Sequence, residues 1–131
     1  MNRDKLLELY KKYELTKDDV YKHQHFVIIT RQGIEKIQAK ENITISYEVI
    51  KCETNFAVFK ANAYINTKPN TIIETFGSAL KGSNFKDGNC NTFYVAEMAE
   101  KRAMSRAVLK LTGFYQLGIF GEDESEDFKK K

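Results

Sequence analysis

Between Lys101 and Lys110 the sequence KRAMSRAVLK spaces Arg102, Arg106 and Lys110 at i, i+4 and i+8. On an α-helix, at about 100° per residue, these three fall in one narrow stripe. No acid stands directly in line with them. Cations in file repel one another by a few tenths of a kcal/mol per i,i+4 pair, a cost that a polyanion would remove while releasing its own counterions. Lys81 and Lys86 precede the stripe in the polar segment KGSNFKDGNCNT, with Phe85 between them. Lys60 and Tyr64 share one side of an expected strand. Cations interleaved with flat rings suit a single-stranded nucleic acid, whose phosphates need charge and whose unstacked bases need surfaces. The plainer alternative is a solvated helix face paired locally with Glu97 or Glu100. Aromatic content is 12%, so several rings must simply be core.

The elements that position these residues are legible in the spacing of apolar side chains. Leu6, Leu9, Tyr10 and Tyr13 recur at helical intervals over residues 3–13. Thr16-Lys17-Asp18-Asp19 reads as a capped turn, followed by the short apolar run Val27-Ile28-Ile29. Thr30 is placed to cap a second helix through about Glu41, with Ile34, Ile37 and Gln38 on one face. Gly33 costs that helix about 1 kcal/mol relative to Ala. From Ile43 the period changes to two. Ile43, Ile45, Tyr47 and Val49 alternate with polar residues, and Phe59, Ala61, Ala63 and Ile65 alternate with Lys60, Asn62 and Tyr64. Cys52 to Asn55 and Asn66 to Asn70 read as turns, and Thr71 to Leu80 as a third strand. Short connections of this kind make an antiparallel meander.

The polar segment at 81–92 reads as a loop. Thr92 then starts a long helix from about Phe93 to Thr112, ended by Gly113. Its expected core face holds Ala103, Met104, Ala107, Val108 and Leu111, with Ala96, Ala99, Ala103 and Ala107 keeping one flank small. The expected fold is α+β, in the order α-α-β-β-β-α, with a three-stranded antiparallel meander packed by the last helix. The chain divides into an N-terminal helix and connection (1–25), an α+β core (26–120) and a charged tail (121–131).

Composition narrows the function. The chain has 131 residues, 21 Lys+Arg, 18 Asp+Glu, two Cys, one Pro and no Trp. That length favours one domain. Glu122, Asp123, Glu124, Glu126 and Asp127 gather five acids beside Lys129 to Lys131. Residues 1–121 therefore hold 18 bases and 13 acids, a net charge of +5 against +3 for the whole. No apolar run reaches the length that spans a bilayer, and MNRDKLLELY is too charged for a signal peptide. The expectation is a cytoplasmic protein with no membrane partner. Cys52 and Cys90 form no metal or redox motif, and His23 and His25 supply two metal ligands at most. Lys81-Gly82-Ser83 is not a phosphate loop of the GxxxxGK type. The tail carboxylates lack the rigid supporting shell that metal-dependent nuclease chemistry needs. No enzyme activity and no cofactor is expected.

The segment from Tyr94 to Glu124, YVAEMAEKRAMSRAVLKLTGFYQLGIFGEDE, resembles the signature helix of phage and bacterial single-strand annealing proteins of the essential recombination function type. The pattern MAExRAxxRA is matched by Met98, Ala99, Glu100, Arg102, Ala103, Arg106 and Ala107, and the Gly113-Phe114-Tyr115 step is similar too. The eukaryotic annealing recombinase is similar in its meander followed by a basic helix. The resemblance runs over about residues 30–127 and is specific in the last helix and its exit. It implies a homo-oligomer of DNA recombination and repair that holds single-stranded DNA by its backbone. Arg102 and Arg106 would then contact phosphates, with Lys101 and Lys110 beside them. Against that pattern residues 1–25 have no counterpart, and no C-terminal partner-recruiting region is expected.

Two other readings compete. A double-stranded-RNA-binding domain shares the α-β-β-β-α order but places its lysines at the start of the last helix, where this sequence has Asn91-Thr92-Phe93-Tyr94. A structural or inhibitory module would use the same fold without DNA, offering an open sheet face or edge to another protein.

Overall fold

The computed structural model describes residues 3–23, 26–82, 88 and 93–122. Its elements in chain order are α1 (Arg3–Lys12), β1 (Val20–His23), β2 (Phe26–Ile29), α2 (Arg31–Glu41), β3 (Ile43–Cys52), β4 (Phe56–Ile65), β5 (Lys68–Leu80), α3 (Val95–Thr112), a 3-10 turn (Tyr115–Leu117) and β6 (Ile119–Gly121). The class is α+β, as expected, but the single meander is not the whole sheet structure. β3, β4 and β5 form the antiparallel meander. A second three-stranded sheet joins β1, β2 and β6, with β1 antiparallel and β6 parallel to β2.

The second sheet is built from segments that carry no period. Val27, Ile28, Ile29 and Ile119 are all buried, so neither face alternates with water. β2, covered on both faces, leaves only an apolar run in the sequence, while β1 beside it keeps Tyr21 and Lys22 exposed and β6 is three residues long. β6 also draws Gly121, the first residue assigned to the tail, into the folded body.

Thr30 caps α2 as expected, its hydroxyl accepting from Gly33 N–H at 3.1 Å. Gly33 is there for proximity: a Cβ at this position would lie 2.6 Å from Ile29 Cγ2 and 3.1 Å from the Asp19 carbonyl oxygen. α1 shares the core of the later elements. Leu6 and Tyr13 pack with Ile34, Ile37, Val108 and Phe114, and Tyr13 meets the Phe114 ring at 5.9 Å. β5 starts at Lys68, three residues earlier than the turn residues suggested, because Ile65 pairs directly with Lys68.

The meander turns one face to α3. That face carries Ile65, Ala63, Ala61, Phe59 and Ala57 on β4, flanked in register by Ile73, Thr75, Gly77 and Ala79 on β5. At Gly77 the helix touches the sheet, since a Cβ there would sit 2.1 Å from the Ala99 carbonyl oxygen and 2.4 Å from Ala103 N. Thr75 Oγ1 donates to the Ala103 carbonyl at 2.8 Å. The small flank of α3 does what its residues imply. The helix begins at Val95, two residues later than the spacing suggests, and Gly113 ends it at φ 90°. The expected cap, Thr92, lies outside the described residues.

Candidate nucleic-acid interface

α3 runs antiparallel to β5, so its successive turns pass successive residues of that strand. Arg102 Nη1 donates to the Ser78 carbonyl at 2.8 Å, and one turn later Arg106 Nη1 donates to the Phe76 carbonyl at 3.0 Å. Both carbonyls belong to the outer edge of the meander, where β5 is the last strand. The two arginines therefore bind a sheet edge that would otherwise be open to strand addition.

This corrects the picture of a solvated stripe of three. Arg102 is 3% exposed and Arg106 half-buried, while Lys110 is exposed. A helical wheel gives the angle of a side chain but not what lies beneath it, and the edge of β5 lies beneath these two. A guanidinium suits the place because it stays charged when buried and offers several donors in a fixed plane. Arg102→Ala is expected to cost about 1–3 kcal/mol by leaving the Ser78 carbonyl without this donor. Lys110→Ala should change stability by under about 0.5 kcal/mol. Urea denaturation of the two variants checks the contrast, and equal losses would count against it.

Two further cations, Lys81 and Lys110, lie along the same flank. Lys110 Nζ stands 5.2 Å from the centre of the Tyr115 ring, and Lys81 Nζ 4.7 Å from that of Phe93. Lys101, nine residues from Lys110 and so half a turn round the helix from it, is half-buried on the opposite side of α3 and does not join them. Lys81, Lys101 and Lys110 make no ion pair among the described residues. Phe93 and Tyr94, at the entrance to α3, are 63% and 69% exposed. Helical spacing places them only at the start of α3, and the signal for exposure is their position at the end of a polar loop, outside any apolar period. Lys86 and Phe85 lie outside the described residues.

Lys60 and Tyr64 belong to a different surface. They sit on the meander face turned away from α3, with Phe56, Val58, Ile72, Phe76 and Leu80. Lys60 pairs with Glu74 there at 3.1 Å. Ile72 is 61% and Phe76 49% exposed, which makes this face apolar as well as open. Phe76 joins the two surfaces: its carbonyl receives Arg106 at the edge while its side chain lies on the open face opposite Lys60.

No cluster of three or more His, Cys, Asp or Glu suited to a metal ion occurs among the described residues. No helix among them is long and apolar enough to cross a membrane. Of the tail acids, Glu122 is described: its Oε1 accepts the Arg31 N–H at 3.1 Å, at the start of α2. A carboxylate at a helix N-terminus is favourably placed against the helix dipole. No protein-family model, no curated protein and no solved structure matches the chain.

Proposed function

We propose that this chain binds single-stranded DNA along the α3–β5 flank and acts, without catalysis, as a homo-oligomeric protein of recombination or strand annealing. The observation that carries the reading is the row Lys81, Arg106 and Lys110, with the exposed rings of Phe93 and Tyr94 at one end. Four residues of helix rise about 6 Å, close to the spacing of phosphates along an extended strand. The resemblance of the MAEKRAMSRA helix to that of single-strand annealing proteins points the same way. Within this reading Arg106, Lys110 and Lys81 hold phosphates. Arg102, buried at the β5 edge, positions that edge.

Fluorescence anisotropy with single- and double-stranded DNA and RNA tests the proposal. Affinity for single strands should fall with salt at a slope of about −0.7 per neutralised phosphate, and Lys81→Ala and Lys110→Ala should each flatten that slope, whereas Lys101→Ala, on the other side of α3, should leave it unchanged. Phe93→Ala and Tyr94→Ala should each weaken binding by about 1–3 kcal/mol if a base stacks there. Absence of oligonucleotide binding at low salt would sink the nucleic-acid reading. A large preference for duplex RNA would favour the RNA-binding topology instead.

A second reading has one observation in its favour. The open meander face, with Ile72, Phe76 and Leu80 exposed, has the character of a surface that another protein covers. If DNA binding fails, a protein-interaction module using this face is the reading to pursue.

A further inference from the structure

The two outer edges of the meander differ in what holds them. Lys81 N–H donates to the Asn55 carbonyl at 2.7 Å, and the register carries this bonded alternation along β5 to Ala79, Gly77 and Thr75. Phe76 and Ser78 therefore turn their carbonyls outward, where Arg106 and Arg102 take them. Two carbonyls of that edge are thereby occupied. At the opposite side Asn66 N–H donates to the Asn42 carbonyl at 2.9 Å, so the bonded pairs are Thr44–Tyr64, Ser46–Asn62 and Glu48–Lys60. Ile43, Ile45, Tyr47 and Val49 then point their N–H and C=O groups away from the sheet. Gln38 Nε2 donates to the Ile43 carbonyl at 3.3 Å. Among the described residues nothing bonds the outward groups of Ile45, Tyr47 and Val49.

We propose that β3 of a second copy fills this edge, pairing antiparallel with β3 about a twofold axis at Tyr47. The proposal deepens the homo-oligomer part of the function above and is independent of DNA.

Three observations select this occupant. The first is the pair of arginines on the β5 edge. They occupy two carbonyls that β3 of the next copy would need for head-to-tail addition in a ring or filament, which favours the isologous solution. The second is the register. Pairing centred on Tyr47 sets Ile45 against Val49 of the second copy, Tyr47 against Tyr47 and Val49 against Ile45, so all three unbonded residues find partners. Centring on Ile45 would need the carbonyl of Ile43 that Gln38 already uses. Centring on Val49 would run into the register shift that follows it.

The third observation is the side chains. The Tyr47 register brings β-branched Ile45 and Val49 together on the α3 side, where Val49 is 60% exposed in the single chain. On the other side it sets Ser46 opposite Glu48, so no like charges face each other across the axis. Native edge strands usually carry charges or Pro to discourage pairing, and from Ile45 to Val49 the only charge is Glu48.

Sedimentation equilibrium of the full chain over about two decades of concentration tests this. The wild type should follow a monomer–dimer equilibrium. Tyr47→Pro should weaken the dimer at least about tenfold, because Pro removes an outward N–H on an edge strand, where a folded monomer tolerates it. Val49→Lys, at an exposed position, should do the same and decides the matter if Tyr47→Pro fails to fold. Photo-oxidation should yield a dityrosine-linked dimer in the wild type that is lost in Tyr47→Phe, whose dimerisation is unchanged. A monomer at every concentration overturns the proposal, as does a dimer that both Tyr47→Pro and Val49→Lys leave intact. A larger ring insensitive to both variants overturns it too, while leaving the homo-oligomer reading standing. DNA binding by a monomeric Val49→Lys protein separates the two questions.

Discussion

Gly77→Ala should destabilise the protein by about 3 kcal/mol or more, although it adds a single methyl group to a β-strand. The added carbon would fall 2.1 Å from the Ala99 carbonyl oxygen and 2.4 Å from Ala103 N, and both of these are helix backbone. A side chain in that position would swing aside, whereas the helix backbone must retreat as a body. Retreat withdraws Ala99, Ala103 and Ala107 from the sheet, each of them fully buried. It also lengthens three bonds that tie α3 to β5: Thr75 to Ala103, Arg102 to Ser78 and Arg106 to Phe76. For a domain of this size such a loss corresponds to a fall in melting temperature of about 10 °C. Ile72→Thr, on the exposed face of the same strand, should change stability by under about 1 kcal/mol. Thermal melts of the two variants make the comparison. A Gly77→Ala protein melting with the wild type would mean that α3 does not seat on β5 at this point.

The contact at Gly77 also explains which parts of the fold were legible in the sequence. The run Ala96, Ala99, Ala103, Ala107 announces a close approach, but nothing in it says that Gly77 is the surface approached. Local chemistry reads well: Thr30 caps α2, Thr16 to Asp19 make a turn, and the alternation in β4 sorts its faces correctly. Residues covered from two directions read poorly. Ser105, Val108 and Leu109 of α3 are all fully buried, and Gly121 of β6 packs against Ser105, whose Cβ would lie 2.9 Å from a Cβ at that glycine. Since three-residue strands leave no periodic trace, that second layer was invisible, and Ser105 and Leu109 fell outside the expected core face. Met104 and Leu111, inside it, are only partly buried. Arg102 suffered the same fate from the other direction: its charge marked it as a surface residue, and the carbonyl it bonds is 24 residues away in the chain.

Asp19→Asn should cost about 2–4 kcal/mol at neutral pH, and the cost should shrink in acid. Asp19 is fully buried between the turn that follows α1 and the first turns of α2. Its Oδ2 accepts from Thr16 N–H at 2.9 Å, from Thr16 Oγ1 at 3.3 Å and from Lys36 Nζ at 2.7 Å, and its Oδ1 from Gln32 Nε2 at 3.3 Å. Its own carbonyl accepts Thr30 N–H at 2.8 Å, so the residue ties the turn to the cap of α2. Burial pushes its carboxyl pKa up, but Lys36 and Thr16 together outweigh it and hold the group below its usual range. A carboxylate whose pKa is lower folded than unfolded contributes stability that is full above the unfolded value of about 4 and is lost as pH falls through the folded one. The wild type should therefore lose stability below about pH 4, while Asp19→Asn, which sets an amide donor against Lys36 at every pH, loses less over the same interval. Urea midpoints at neutral pH and at about pH 3 measure both gaps. Lys36→Met completes a double-mutant cycle in which the Asp19–Lys36 coupling should be about 1–3 kcal/mol. Equal gaps at both pH values would mean that the charge of Asp19 contributes nothing, and that packing around the turn alone holds α2 in place.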